Sequence, residues 1–243
     1  MEPWLLLILS PFAGSFLGVL ADRLPEGRDV LTARSRCAAC GHVLGPADLV
    51  PILSWAWRRG RCGHCGAAIP LHLPLIEAGA MAGAALALAL DPPGGALAGA
   101  LVLWLLATLA LADARHRRLP DVLTAALAVV ALSVALAAGH GGAALAGAAI
   151  GAGGFWLIRI AYRALRGREG LGMGDVKLMA GIGALHPLAD LPLVVALGAG
   201  LGLAWALAAH RGRPPAALAL PFGSFLCAGS ALVLVAGWLA PAL

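Results

Sequence analysis

Charge is scarce in this sequence. Of its 243 residues only 12% are Asp, Glu, Lys or Arg, while 61% are hydrophobic and the mean hydropathy is +0.90. A soluble domain carries about 25% charged residues, so a water-soluble globule is excluded. The net charge of +5 and pI near 9.4 would by themselves suggest a nucleic-acid partner, but a chain this apolar excludes that reading. Lysine is almost missing: 16 of the 17 cations are Arg, and Lys177 is the single Lys. No basic stretch precedes the first apolar run, which begins Met1-Glu2-Pro3 and meets its first cations at Arg23 and Arg28. That run therefore reads as a retained membrane anchor rather than a cleaved signal.

What is present is a series of apolar runs at 4–20, 72–90, 96–112, 122–138, 143–158, 176–188, 191–209 and 216–240. Gly- and Pro-marked breaks separate several of them. At about 20 residues per crossing, they predict an all-α polytopic membrane protein of about eight transmembrane helices. The run at 176–188 is the shortest, reaching only about 20 Å at 1.5 Å per residue. If all eight cross, the segments 21–71, 113–120, 159–177 and 210–215 share one face, and together they hold all 17 Lys and Arg. Cytoplasmic loops concentrate these residues. The expected arrangement has the cationic face in the cytoplasm and both termini outside. Arg115, Arg117 and Arg118 are expected to meet anionic lipid headgroups. Stretches rich in small residues, such as Gly147, Gly151, Gly198 and Gly202, predict close helix–helix contacts. No convincing internal repeat is read. The expected division is an anchor at 1–20, a polar segment at 21–71 and a membrane domain at 72–243.

The polar segment holds Cys37-Ala38-Ala39-Cys40 and, 21 residues on, Cys62-Gly63-His64-Cys65. Paired C-x2-C knuckles place four thiolates around one tetrahedral zinc, with Gly41, Gly63 and Gly66 easing the turns. Two disulfides are the alternative, disfavoured on a reducing face. With all four ligands from protein, such a zinc is structural, stapling a segment of about fifty residues that has too little core of its own. Cys227 stands alone in the last run, as a small apolar residue.

Ionisable residues in or beside spans are functional candidates. Asp113 ends the third run, and Asp175 follows Gly172 and Gly174 just before the sixth. Both fall on the cationic face. Two carboxylates in one aqueous notch suit peptide hydrolysis, one protonated and one ionised, because close like charges split their titrations. The glycines would let a substrate strand approach closely. A plain N-cap is the other reading of Asp175, and a cap is the preferred reading of Asp121. Lys177 either favours the ionised Asp175 or steadies an oxyanion, or it snorkels to lipid phosphate. Glu77, inside the second run, needs a polar partner or a watery cavity, in a supporting or methyl-transfer role.

These residues together resemble the type IV prepilin peptidases, membrane aspartic proteases of the GxGD class. The resemblance runs through Gly14-Ser15-Phe16-Leu17-Gly18, Arg23-Leu24-Pro25, both cysteine knuckles and Pro74-Leu75-Ile76-Glu77. It continues through Asp113 with Leu119-Pro120, through Gly172-Met173-Gly174-Asp175-Val176-Lys177, and ends at Pro221-Phe222-Gly223. It implies that Asp113 and Asp175 are the catalytic pair. It further implies cleavage of basic leaders from type IV prepilins and type II secretion pseudopilins after a Gly, at the cytoplasmic face of the bacterial inner membrane. The cysteine-bearing loop implies N-methylation of the new terminus, usually Phe, with S-adenosylmethionine. No strand, Gly-rich loop and helix in succession offers a site for that donor, so its binding residues stay unknown at this level. Ala38 and Gly18 depart from the family's usual Pro and Asn. The rival readings are a proton-conducting transporter and a non-enzymatic secretion or pilus assembly scaffold with a zinc module. Nothing in the residues fixes an oligomeric state.

Overall fold

The computed structural model describes residues 3–90, 92, 95–210 and 220–240. Among them lie nine α-helices and no strand. They are α1 (Pro3–Arg23), α2 (Leu53–Trp57), α3 (His72–Leu90), α4 (Gly95–His116), α5 (Asp121–Ala137), α6 (Gly141–Arg166), α7 (Met173–Leu185), α8 (Leu191–Ala209) and α9 (Phe222–Leu239). All but the short α2 coincide with the apolar runs. Among the described residues, six segments are long and apolar enough to cross a membrane: Pro3–Glu26, His72–Leu90, Gly95–His116, Gly141–Arg166, Leu188–Ala209 and Phe222–Leu239. The two remaining apolar helices fall short of that length, α5 with 17 residues and α7 with 13. Arg211 and Arg213, used above for sidedness, lie outside the described residues.

Glycine permits the closest contacts. A Cβ on Gly147 of α6 would overlap the carbonyl of Gly183 of α7, and one on Gly183 would overlap that of Gly147. A Cβ on Gly14 would lie 2.7 Å from the Cα of Glu77, so α1 lies directly on the backbone of α3. Inside, Leu106, Leu109, Leu127, Leu178, Met179, Ile182 and Leu226 form one fully buried cluster drawn from α4, α5, α7 and α9. Outward faces keep large apolar side chains exposed, including Ile8 and Leu9 of α1 and Leu157 and Ile158 of α6. A surface of that kind suits lipid rather than water.

Side-chain bonds gather many of the helix ends at one end of the bundle. Asp22 of α1 holds His72 of α3 and Arg115 of α4. Lys177 of α7 holds Asp121 of α5, and Ser224 of α9 holds Asp113 of α4. The Arg117 N–H closes the last turn of α4 on the Asp113 carbonyl at 2.8 Å, and a φ of +52° at Arg117 then reverses the chain. That turn brings Leu119 and Pro120 back beside Asp113.

Candidate functional site

Asp113 and Asp175 come together although 62 positions separate them. Asp113 is buried near the end of α4, 6% exposed. Asp175 lies in the first turn of α7, half-buried, with the Gly172 N–H directed at its carboxylate. Their meeting point is Gly223 in the first turn of α9. A Cβ there would sit 3.1 Å from Asp113 Oδ2 and 3.1 Å from Asp175 Oδ1. The two oxygens are thus no farther apart than twice that distance. Ser224 fixes Asp113 further, its N–H donating to Oδ2 at 2.8 Å and its Oγ lying 3.1 Å from the same atom. Both carboxylates line a notch of about 440 Å³ with Leu119, Gly172 and Lys177. Two acids, a backbone kept bare by Gly and room for a peptide strand are what water-mediated hydrolysis requires.

Other expected residues take different parts. Gly174 lines the notch, and its bare backbone also seats α7 on the turn after α4, where a Cβ would sit 3.1 Å from the Leu119 Cβ. Gly172 is the N-cap of α7 and lines the notch, and Gly223 supplies a further bare backbone position between the two carboxylates. Lys177 pairs with Asp121: its Nζ lies 2.7 Å from both carboxylate oxygens of that residue. That pairing joins α7 to α5 at the rim of the notch and gives Asp121 a partner beyond its own helix start. Arg115 and Arg118, expected at lipid headgroups, are held within the protein by Asp22 and by the Pro25 carbonyl. From sequence, Gly223 enters only as the last residue of the resemblance, and neither it nor Ser224 is placed at the carboxylates. Their signal was the Gly-Ser-Phe-Leu shared by 14–17 and 223–226, which reads equally as helix packing.

The four cysteines converge. Their Sγ atoms all lie within 4.8 Å of one another, and Cys37 Sγ to Cys65 Sγ is 3.8 Å. Four thiolates at about 2.3 Å from a tetrahedral zinc stand about 3.8 Å apart, so the spacing fits. None of the four is in a disulfide. The knuckles repeat each other bond for bond at an offset of 25 residues. Cys37 N–H to His42 O matches Cys62 N–H to Ala67 O, and Gly41 N–H to Cys37 O matches Gly66 N–H to Cys62 O. Gly41 and Gly66 take φ of +70° and +72°. The hexapeptides Arg36–Gly41 and Arg61–Gly66 are therefore a short internal repeat that inspection of the sequence passed over. Gly63 has no such backbone need; its missing Cβ leaves room for the Arg58 guanidinium. His42 and His64 stack on each other at 4.5 Å, apart from the sulfur group.

Glu77 finds its polar partner in the four-cysteine segment. Its Oε2 accepts the Ile52 N–H at 2.7 Å, where Ile52 has a φ of +61°. A buried acid of α3 thus clamps a strained turn of the polar segment to the bundle.

Comparison with known proteins decides the family. Residues 8–90 match the profile of the bacterial peptidase A24 N-terminal domain, and residues 100–207 match the type IV leader peptidase family. An Aeromonas salmonicida (strain A449) protein named prepilin leader peptidase/N-methyltransferase is 33% identical, covering 98% of this chain and 91% of its own length. The chain belongs to the type IV leader peptidase family. It is accordingly a membrane aspartic endopeptidase. A Burkholderia pseudomallei (strain 1026b) protein of the same name is 41% identical over 89% of this chain and 71% of its own. One from Dickeya chrysanthemi is 37% identical over 97% and 95%. No solved structure matches the chain. Within this peptidase the second profile spans both Asp113 and Asp175, while Gly223 and Ser224 lie beyond it.

Proposed function

We propose that this peptidase cleaves the basic leader of type IV prepilins and type II secretion pseudopilins after Gly, and then N-methylates the new terminus. The observation that carries the reading is the approach of both carboxylates to 3.1 Å from one bare backbone position at Gly223. Asp113 and Asp175 hold a water between them. The ionised acid takes its proton as the oxygen attacks the scissile carbonyl, and the protonated acid polarises that carbonyl. The proton then passes to the leaving amine. Because the pair shares its titration, the two roles belong to the dyad. Gly172 shapes the substrate side by capping α7, Gly174 seats that helix, and Lys177 supports it through Asp121.

The four cysteines take a structural zinc, which would hold the two knuckles as one unit with no ligand position open for reaction. Segment 21–71 is then a metal-stapled cytoplasmic module between the anchor at 1–20 and the peptidase domain at 72–243. S-adenosylmethionine supplies the methyl group, in keeping with the relatives' names. The setting is the bacterial inner membrane, with eight crossings and both termini in the periplasm. Support comes from Arg115, Arg118 and Lys177, which gather at the same bundle end as the carboxylate pair and mark it as cytoplasmic. In that setting α5 and α7 cross as short helices inside the bundle.

The test is incubation of the purified protein with a membrane-embedded prepilin and S-adenosylmethionine. Mass spectrometry is expected to find leader loss after Gly and one added methyl on the new N-terminus. An intact prepilin contradicts the proposal, and a transporter or scaffold would leave it intact.

A further inference from the structure

The short helix α2 lies in the four-cysteine segment and has two unlike faces. On the inner face the Trp55 ring packs on Gly60, where a Cβ would stand 2.9 Å from Cζ2. Ser54 and Trp55 on that face line a cavity shared with the near ends of α1, α3 and α4. On the outer face Leu53 and Trp57 are 63% and 87% exposed, with Ala56 exposed beside them. Positions 53, 56 and 57 stand at i, i+3 and i+4, one stripe of a helix. They turn away from the cavity. Trp is seldom left this bare to water.

Depth indicates what covers the stripe. Helix α3 has 19 residues, about 28 Å of helix, and a hydrocarbon core of about 30 Å uses all of it. Its start at His72 therefore stands at the membrane boundary. Glu77 lies five residues inside that start, about 7.5 Å along the axis, and its Oε2 accepts the Ile52 N–H at 2.7 Å. An extended Glu side chain plus one hydrogen bond reaches no farther than that. Ile52 is thus level with the first turns of α3, and Leu53 follows it directly. Trp57 is one helical turn on, at most about 6 Å farther out, within the headgroup layer that flanks the core. Leu71 and Leu75 leave the start of α3 similarly bare and apolar.

The charges fit the same surface. Segment 21–71 carries seven Arg against four Asp and Glu. Arg58 turns inward onto Asp48, whereas Arg59 and Arg61, which follow Trp57 within four residues, are exposed. A Trp at headgroup depth with free cations beside it suits the face of an anionic bilayer.

We propose that the outer face of α2 is an interfacial anchor: Leu53 and Trp57 enter the cytoplasmic leaflet, and Arg59 and Arg61 meet anionic headgroups above them. The inference rests on the cytoplasmic placement of segment 21–71 given above. The partner is the lipid surface itself. The four-cysteine segment then lies down on the leaflet whose rim holds the carboxylate notch, instead of standing free in the cytoplasm.

The experiment carries a photoreactive side chain in the full-length protein, Trp57→p-benzoylphenylalanine, reconstituted with prepilin in vesicles of phosphatidylethanolamine and a minority of phosphatidylglycerol. Leu157→p-benzoylphenylalanine, on an exposed position of α6, is the lipid-facing reference. After irradiation, mass spectrometry is expected to find phospholipid joined to the peptide carrying residue 57. Phosphatidylglycerol is expected to exceed its share of the bilayer about twofold or more among these adducts, and Arg59→Gln to bring it back toward that share. Lipid adducts at 157 with none at 57 overturn the proposal. An adduct from 57 to prepilin in place of lipid also overturns it and makes the face a substrate dock. Adducts at 57 with no preference for phosphatidylglycerol overturn the part given to the arginines. Protease added outside intact spheroplasts that cuts within 21–71 overturns the cytoplasmic placement, and this proposal with it; an uncut segment without lipid adducts at 57 overturns the anchor alone.

Discussion

The backbone N–H of Ser224 donates to Oδ2 of Asp113 at 2.8 Å, joining residues 111 positions apart. Through it, the first turn of α9 aims one carboxylate, and Gly223 beside it leaves the space between both acids open. A methyl group at 223 would intrude there, 3.1 Å from each carboxylate oxygen and 2.9 Å from the Leu119 Cδ1. Gly223→Ala is expected to lower kcat for leader cleavage about a hundredfold, close to 3 kcal/mol of barrier, with KM nearly unchanged. Ser224→Ala keeps the N–H and loses only the hydroxyl, and is expected to cost about tenfold. Steady-state cleavage of a prepilin peptide checks both. A Gly223→Ala enzyme with wild-type kcat would remove Gly223 from the site.

Glu77 and Ile52 make the second prediction. The Oε2 acceptor holds an N–H in a turn whose φ of +61° a β-branched residue adopts only under constraint. Glu77→Ala is expected to destabilise the polar segment by about 2–3 kcal/mol. Glu77→Gln keeps an acceptor and is expected to cost less than half of that. Limited proteolysis between residues 50 and 60 measures this, with uncut α3 to α9 as the internal reference.

The cysteine cluster gives a pH dependence. Backbone N–H groups of Cys40 and Ala39 draw the Cys37 thiol down to about 6. The Ala67 N–H favours a thiolate at Cys65, but the neighbouring sulfurs, Cys40 foremost, outweigh it and hold that thiol up to about 11. Metal binds the thiolate form, so protons compete, and affinity is greatest at high pH and lost as pH falls. At pH 7.5 Cys37 enters already ionised, and zinc binding is expected to release fewer than four protons per site. Calorimetry in buffers of different ionisation enthalpy counts them. The expected stoichiometry is one zinc per chain, lost in Cys37→Ser and on acidification from pH 7.5 toward 5.

The knuckles were legible from sequence because their chemistry is local: ligands, turn glycines and spacing lie within six residues of each other. The helices were legible for the same reason, since polar breaks bound each apolar run. Partnerships between distant segments were not. Nothing near Lys177 announces Asp121, and nothing near Glu77 announces a backbone N–H 25 residues earlier. Nothing near Gly174 announces that Leu119 packs against its bare backbone. The cluster of Asp22, His72, Arg115 and His116 was not legible, because Arg115 read alone suits a lipid headgroup and the other three are ordinary helix-end polar groups.

Replacing Asp113 and Asp175 by Asn, one at a time, tests the shared-water site most directly. Asn keeps the shape of each side chain and removes its capacity to ionise. Leader removal from a co-expressed prepilin is expected to stop in both single variants, with membrane insertion and zinc content unchanged. Continued processing by either one would contradict the account.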